Sequence, residues 1–213
     1  MKLESVKYYL SKLISDGHKW QYTDINGKVE KPRYYFSSIQ WIIIIVSLIS
    51  SYFLPKGFNN NFIGYIIASL SIFIGLFLTL ILTIFDKFQK INFSKKEISE
   101  IERVSLIQTK NFFKQFTALT SYSILISLCC IGLLSLSLLS EFFNTNPAEY
   151  RFIYDISEIA WSNILTFIYI LSILFYRLLV FYFLFDFILI LVFSLSSIYN
   201  YISLEYERKK IQN

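Results

Sequence analysis

Four apolar runs dominate the chain, at 36–54, 62–85, 116–140 and 159–204. The first three contain no charged residue, and the fourth contains two, Arg177 and Asp186. A helix at a protein–water boundary keeps a polar stripe, and a run without one points to hydrocarbon as the solvent. The fourth run would make a straight helix of about 69 Å, against a bilayer core of about 30 Å. It has no Gly or Pro at which to turn. The pattern predicts an all-α integral membrane protein with four transmembrane helices, residues 159–175 lying at the outer surface or extending a long bent helix. The alternative has five spans, with the last run split at Arg177.

Ahead of the first run, Leu3, Val6, Leu10, Leu13 and Ile14 repeat at helical spacing, and Gly17 after Asp16 reads as a helix C-cap. Residues 21–25 and 28–31 flank Asn26-Gly27, the signal for a type I′ β-hairpin. Between the second and third runs, Ser94 and Glu97 match a capping box. Ile98, Ile101, Val104 and Ile107 follow in a stripe, which predicts that the third span begins as a long helix near Lys95. The division expected is a cytoplasmic helix and hairpin at 1–33, a bundle at 34–204 with a cytoplasmic loop or helix at 87–115, and a basic tail at 205–213. A lone helix and hairpin bury too little to stand alone, so this appendage should dock on the cytoplasmic loop, the membrane surface or a partner.

Composition agrees with lipid as solvent. Charged residues make up 16% of the chain and hydrophobic ones 55%, where soluble domains carry about 25% charged residues. The excess positive charge is local. Seven Lys or Arg lie in 1–35 and seven in 87–114, against Lys56 alone in 55–61 and Arg151 alone in 141–158. The positive-inside rule then places the N-terminus and the 87–114 loop in the cytoplasm of a plasma (inner) membrane. Arg208, Lys209 and Lys210 favour a cytoplasmic C-terminus. Tyr199, Tyr201 and Tyr206 read as an inner aromatic belt, and Tyr176, Arg177 and Tyr182 as an outer one.

Intramembrane charges are costly and mark the first candidates, Arg177 and Asp186. Arg177 can snorkel to the outer surface. At 100° per residue Asp186 shares a polar stripe with Ser172, Ser197 and Asn200. The second candidate is a helix-packing row of Gly64, Ala68, Ser71, Gly75, Thr79 and Thr83, with Ser123 and Ser127 in a similar row on the third span. Cys129 and Cys130 read as small packing residues, and the single histidine, His18, as exposed or capping. No phosphate loop, metal set or intramembrane Asp pair occurs, so no enzyme, cofactor or metal site is expected. Direct nucleic-acid binding is not expected either.

The partners expected are the bilayer, further copies of the chain in a homo-oligomer, and a cytoplasmic protein. Two functions fit. One is a non-enzymatic subunit that anchors or scaffolds the cytoplasmic partner. The other is a pore- or leak-forming effector gated from the cytoplasmic side. Small membrane subunits of similar size and topology occur in some phage-defence systems, an analogy that no motif carries.

Overall fold

The computed structural model describes residues 3–30, 36–54, 56–91, 99–140, 143, 145–147 and 161–212, without the side chains of Leu3, Ile101, Ser162, Asn163 and 208–212. Five helices follow in order: α1 (Leu3–Trp20), α2 (Ser38–Tyr52), α3 (Asn60–Gln89), α4 (Glu100–Leu139) and α5 (Trp161–Gln212). Three of them, α3, α4 and α5, are long and apolar enough to cross a membrane. At 15 residues α2 is about 22 Å long, short of the hydrocarbon thickness. The run that lacked turn residues is one 52-residue helix, about 78 Å, and it does not break at Arg177.

Burial along α2 is inverted relative to a soluble protein, and α4 buries small hydroxyl residues beside its apolar ones. The buried positions of α2 are Gln40, Ser47 and Ser51, whereas Trp41, Ile42, Ile45, Leu48 and Ile49 are exposed. On α4 the fully buried side chains include Thr120, Ser123 and Ser127. Small polar residues inward and large apolar ones outward is the arrangement that a lipid solvent favours. The hydroxyls return to their own helices, as Ser47 Oγ donates to the Ile43 carbonyl and Thr120 Oγ1 to that of Phe116, both at 2.7 Å. Ser37 and Gln40 close a reciprocal capping box on α2 that holds its first turn.

Contacts divide the chain into two compact units, 1–35 with 73–125 and 187–213, and 36–72 with 126–186. In the first, Ile25, Phe112, Phe113 and Phe116 form a core against which Ile84, Phe88, Ile198 and Leu204 pack. Phe112 stacks on Tyr201 with ring centroids 4.2 Å apart. In the second, Phe58 packs on Phe181, and Tyr176 stacks on Phe143.

Four local expectations need correction. Among the described residues there is no β-hairpin, only an isolated antiparallel bridge between Thr23 and Val29. The Gly27 N–H donates to the Asp24 carbonyl and the Asp24 N–H to that of Lys28, both at 3.0 Å. Gly27 alone takes a positive φ, +83°, where a type I′ turn would need Asn26 to do so too. The turn is therefore a type I turn closed by a glycine bulge. Its geometry puts Ile25 into the core, which is worth about 1.5–3 kcal/mol.

The turn is also held from α4. Gln108, Asn111 and Gln115 recur along one helix face and donate to Asn26 Oδ1, the Ile25 carbonyl and the Thr23 carbonyl at 2.7, 3.1 and 2.7 Å. Ser197 Oγ of α5 donates to Gln115 Oε1 at 2.9 Å. The N-terminal element is thus docked on α4 by an amide ladder.

Gly17 is not a C-cap. The helix runs on to Trp20, and a Cβ at Gly17 would lie 2.6 Å from both Cβ and Cγ of Tyr122. The missing side chain lets α1 press onto α4. Gly17→Ala is expected to cost about 1–3 kcal/mol through overpacking, because the inner atoms of Tyr122 cannot swing aside. Faster amide exchange across α1, with α4 unchanged, checks it.

The N-terminus of α4 also differs. The helix starts at Glu100, where Ser99 Oγ accepts from the Glu102 N–H at 3.3 Å. Ser99 and Glu102 repeat the Ser-x-x-Glu pattern five residues after Ser94 and Glu97, which lie outside the described residues. The stripe that follows is uncovered, with Val104 and Ile107 exposed. Finally, Tyr176 and Arg177 point inward rather than forming an outer lipid-facing belt.

Candidate functional site

Buried positions on α5 are Ile173, Tyr176, Arg177, Val180, Asp186, Phe187, Ile190, Ser194 and Ser197. Most of them recur at alternating steps of three and four, the 3.5-residue period of a coiled-coil seam. The two charges fall beside this seam, Arg177 next to Tyr176 and Asp186 next to Phe187.

Arg177 is 0% exposed. It does not snorkel, because protein carbonyls reach it instead. Nη1 donates to the Leu54 carbonyl at 2.6 Å, and Nη2 donates to those of Thr145 at 2.7 Å and Phe143 at 3.4 Å. Leu54 follows the C-terminus of α2, where unsatisfied carbonyls carry partial negative charge. The planar guanidinium fork places two separate donors on two segments. Next to it, the Tyr176 hydroxyl donates to the Leu133 carbonyl of α4 at 2.6 Å, and Ser51 Oγ of α2 donates to the Leu174 carbonyl at 3.2 Å. Arg177 is a latch joining the end of α2, the segment after α4, and α5. Both Nη groups are engaged in that role, while the buried Nε has no hydrogen-bond partner among the described residues.

Asp186 is 1% exposed, and Oδ1 has no hydrogen-bond partner among the described residues. Among those residues the one ion pair is Lys28–Glu30, at 3.2 Å. Arg177 and Asp186 are therefore separate features. The stripe drawn through Asp186 is not one buried face. Ser172 is exposed and donates to the Ile168 carbonyl of its own helix, Asn200 is exposed, and Ser197 is buried on Gln115. Ser172 and Asn200 lie two heptads before and after Asp186, on the same column of the helix, and only the middle of that column is covered.

The packing row on α3 lies on the surface of the chain. Gly64, Ala68, Ser71, Gly75, Thr79 and Thr83 are all exposed. A Cβ added at Gly64 or Gly75 would meet nothing within 4 Å. Thr79 and Thr83 donate back to the Gly75 and Thr79 carbonyls. The small residues therefore do not pack this helix within its own chain. By contrast, Ser123 and Ser127 on α4 are fully buried. Cys130 is buried, Cys129 is exposed and both are free thiols. His18 is partly buried, its ring edge-on to Tyr22 at 5.2 Å.

Among the described residues, no three His, Cys, Asp or Glu side chains come together as a metal site. No family model matches the chain, and no curated protein or solved structure does either. The functional reading therefore rests on the geometry. The amide ladder of Gln108, Asn111 and Gln115 was a readable signal that hydropathy alone passed over. Carbonyl partners such as those of Leu54 and Thr145 have no side-chain signature to find.

Proposed function

We propose that the chain is a non-enzymatic multi-pass membrane subunit that holds a soluble protein at the cytoplasmic face and assembles as a homo-oligomer. The supporting observation is an uncovered apolar surface on helices rich in lysine. Val6, Leu10 and Ile14 on α1, and Val104 and Ile107 on α4, are exposed although they precede the charge-free parts of the chain. Water-facing apolar rows of this kind mark contact surfaces. The amide ladder fixes the element that carries the first row, so it is presented on a rigid base.

In this reading α2 is the fourth span, its short length extended by flanking residues. The fourteen basic residues in 1–35 and 87–114 support a cytoplasmic N-terminus, and Arg208, Lys209 and Lys210 favour the same side for the C-terminus. The exposed small-residue row of α3 supports assembly between copies, since it permits close helix approach. A second reading, a cytoplasmically gated pore, is favoured by one observation, the buried Asp186 whose Oδ1 has no partner among the described residues.

A photo-crosslinking residue tests the first reading in cells. Placed at Ser71, it is expected to give chain–chain adducts. Placed at Leu10 or Ile107, it is expected to give one discrete adduct with a soluble protein, while the exposed Lys28 position gives none. Adducts only with lipid at Leu10 and Ile107 would remove the scaffold reading.

A further inference from the structure

We propose that a groove between α1, α3 and α4 binds an anionic phospholipid of the leaflet that faces α1. The groove has a volume of about 770 Å³, within the range of about 300–1,000 Å³ typical of small-molecule sites. That space suits a headgroup and the first part of its chains. Its floor is apolar and aromatic, built from Leu13 and Trp20 of α1, Ile84 and Phe88 of α3, and Phe113 of α4. Three lysines line it, Lys12 and Lys19 from α1 and Lys114 from α4, against a single carboxylate, Asp16. None of these four groups takes part in an ion pair among the described residues.

Position along the helices identifies the occupant. The charge-free stretch of α3 ends at Phe85, with Asp86 and Lys87 next, and the charge-free stretch of α4 begins just after Lys114. Phe85 and Lys114 both line the groove. It therefore straddles the level at which acyl chains give way to headgroups, and both aromatic rings and ammonium groups line it. An amphiphile with an apolar tail and a phosphate matches both halves, and basic pockets between spans on the cytoplasmic side are suited to such lipids. The Gly17–Tyr122 contact separates the two flanks of α1. Leu13 and Trp20 face the groove, while Leu10 and Ile14 line a separate depression with Lys7 and His18. Lipid on one flank and protein on the other are thus compatible. The inference needs membrane insertion but neither the scaffold nor the pore reading.

Trp20 provides the probe. Trp41→Phe with Trp161→Phe leaves it as the sole tryptophan of the full chain, reconstituted in vesicles. Chains brominated near the headgroup quench a tryptophan they touch. Brominated phosphatidylglycerol, diluted in unlabelled phosphatidylcholine, is expected to quench Trp20 more strongly than brominated phosphatidylcholine at the same mole fraction. A lysine near an anionic surface is worth about five-fold in binding, and three lysines against Asp16 leave two net charges, so the half-quenching fraction should differ by about 25-fold. Lys12→Gln, Lys19→Gln and Lys114→Gln together should abolish the difference, and added inorganic phosphate should not. A variant retaining only Trp41, exposed on α2, should show no headgroup preference. Equal quenching of Trp20 by both lipids, or a preference that survives the triple substitution, overturns the proposal while leaving membrane insertion intact. No quenching of Trp20 or Trp41 by either lipid would overturn both, and competition by free phosphate would overturn the lipid as ligand.

Discussion

Arg177→Met is expected to destabilise the protein by about 3 kcal/mol or more, the largest loss from any single side chain in the 36–72 and 126–186 unit. The guanidinium makes two short hydrogen bonds and one longer one to backbone carbonyls of Leu54, Thr145 and Phe143. Hydrogen bonds to charged groups are worth about 1.5–3 kcal/mol each. Side-chain bonds within membranes average nearer 0.6 kcal/mol, because the alternative state also finds partners. Two features move this case toward the upper figure. The donor is ionised, and its removal strands three carbonyls at once where side-chain packing leaves no exposed surface at Arg177. Arg177→Lys keeps the charge but offers one nitrogen in place of two separated donors, so about half the loss should remain. Unfolding of purified wild type and both variants in mixed micelles, followed by tryptophan fluorescence, measures the order. A wild-type-like Arg177→Met would show that the latch contributes nothing.

The latch also shows what the sequence could reveal. Spans were legible because a lipid-facing helix needs no partner to specify it, so long charge-free runs such as 62–85 declare themselves. The continuity of α5 was legible only as one of several alternatives, favoured by the absence of any turn residue near Arg177. The fate of the arginine was not, since it depends on carbonyls that every residue possesses. The small-residue row from Gly64 to Thr83 was legible as a face. The side toward which it turns was not, because Gly, Ala, Ser and Thr permit close approach by a helix of the same chain or another equally well. The Asp186 stripe failed for a geometric reason. A projection at 100° per residue drifts against a seam of 3.5-residue period, and coverage along one column changes with the neighbouring helices. At the N-terminal turn, the competition between local turn preference and the core was decided by Ile25. Burying it against Phe112 and Phe116 required a glycine bulge in place of the tighter turn that Asn-Gly favours in isolation.

Asp186→Leu is expected to stabilise the protein by about 1–3 kcal/mol, the opposite of what a structural hydrogen-bonding carboxylate would show. Asp186 is buried and its Oδ1 has no partner among the described residues, so the wild type bears the desolvation cost of a polar oxygen with no compensating bond. Replacing such a group by a hydrocarbon of fitting shape removes that cost. Asp186→Asn keeps the shape and removes the formal charge, and it should lie between wild type and Leu. A buried intramembrane carboxylate that costs stability is a candidate working group, and here the two functional readings part. If the protein is a scaffold, vesicles containing wild type, Asp186→Asn or Asp186→Leu, with the cytoplasmic partner present, should all hold their ion gradients. If Asp186 lines a conducting path, wild type should leak cations, and Asp186→Asn should lose that selectivity while assembling normally. Stability and flux on the same three proteins separate the cases. A gain in stability without flux from any of them leaves the anchoring role, and a loss of stability on Asp186→Leu would show that the carboxylate has a structural partner after all.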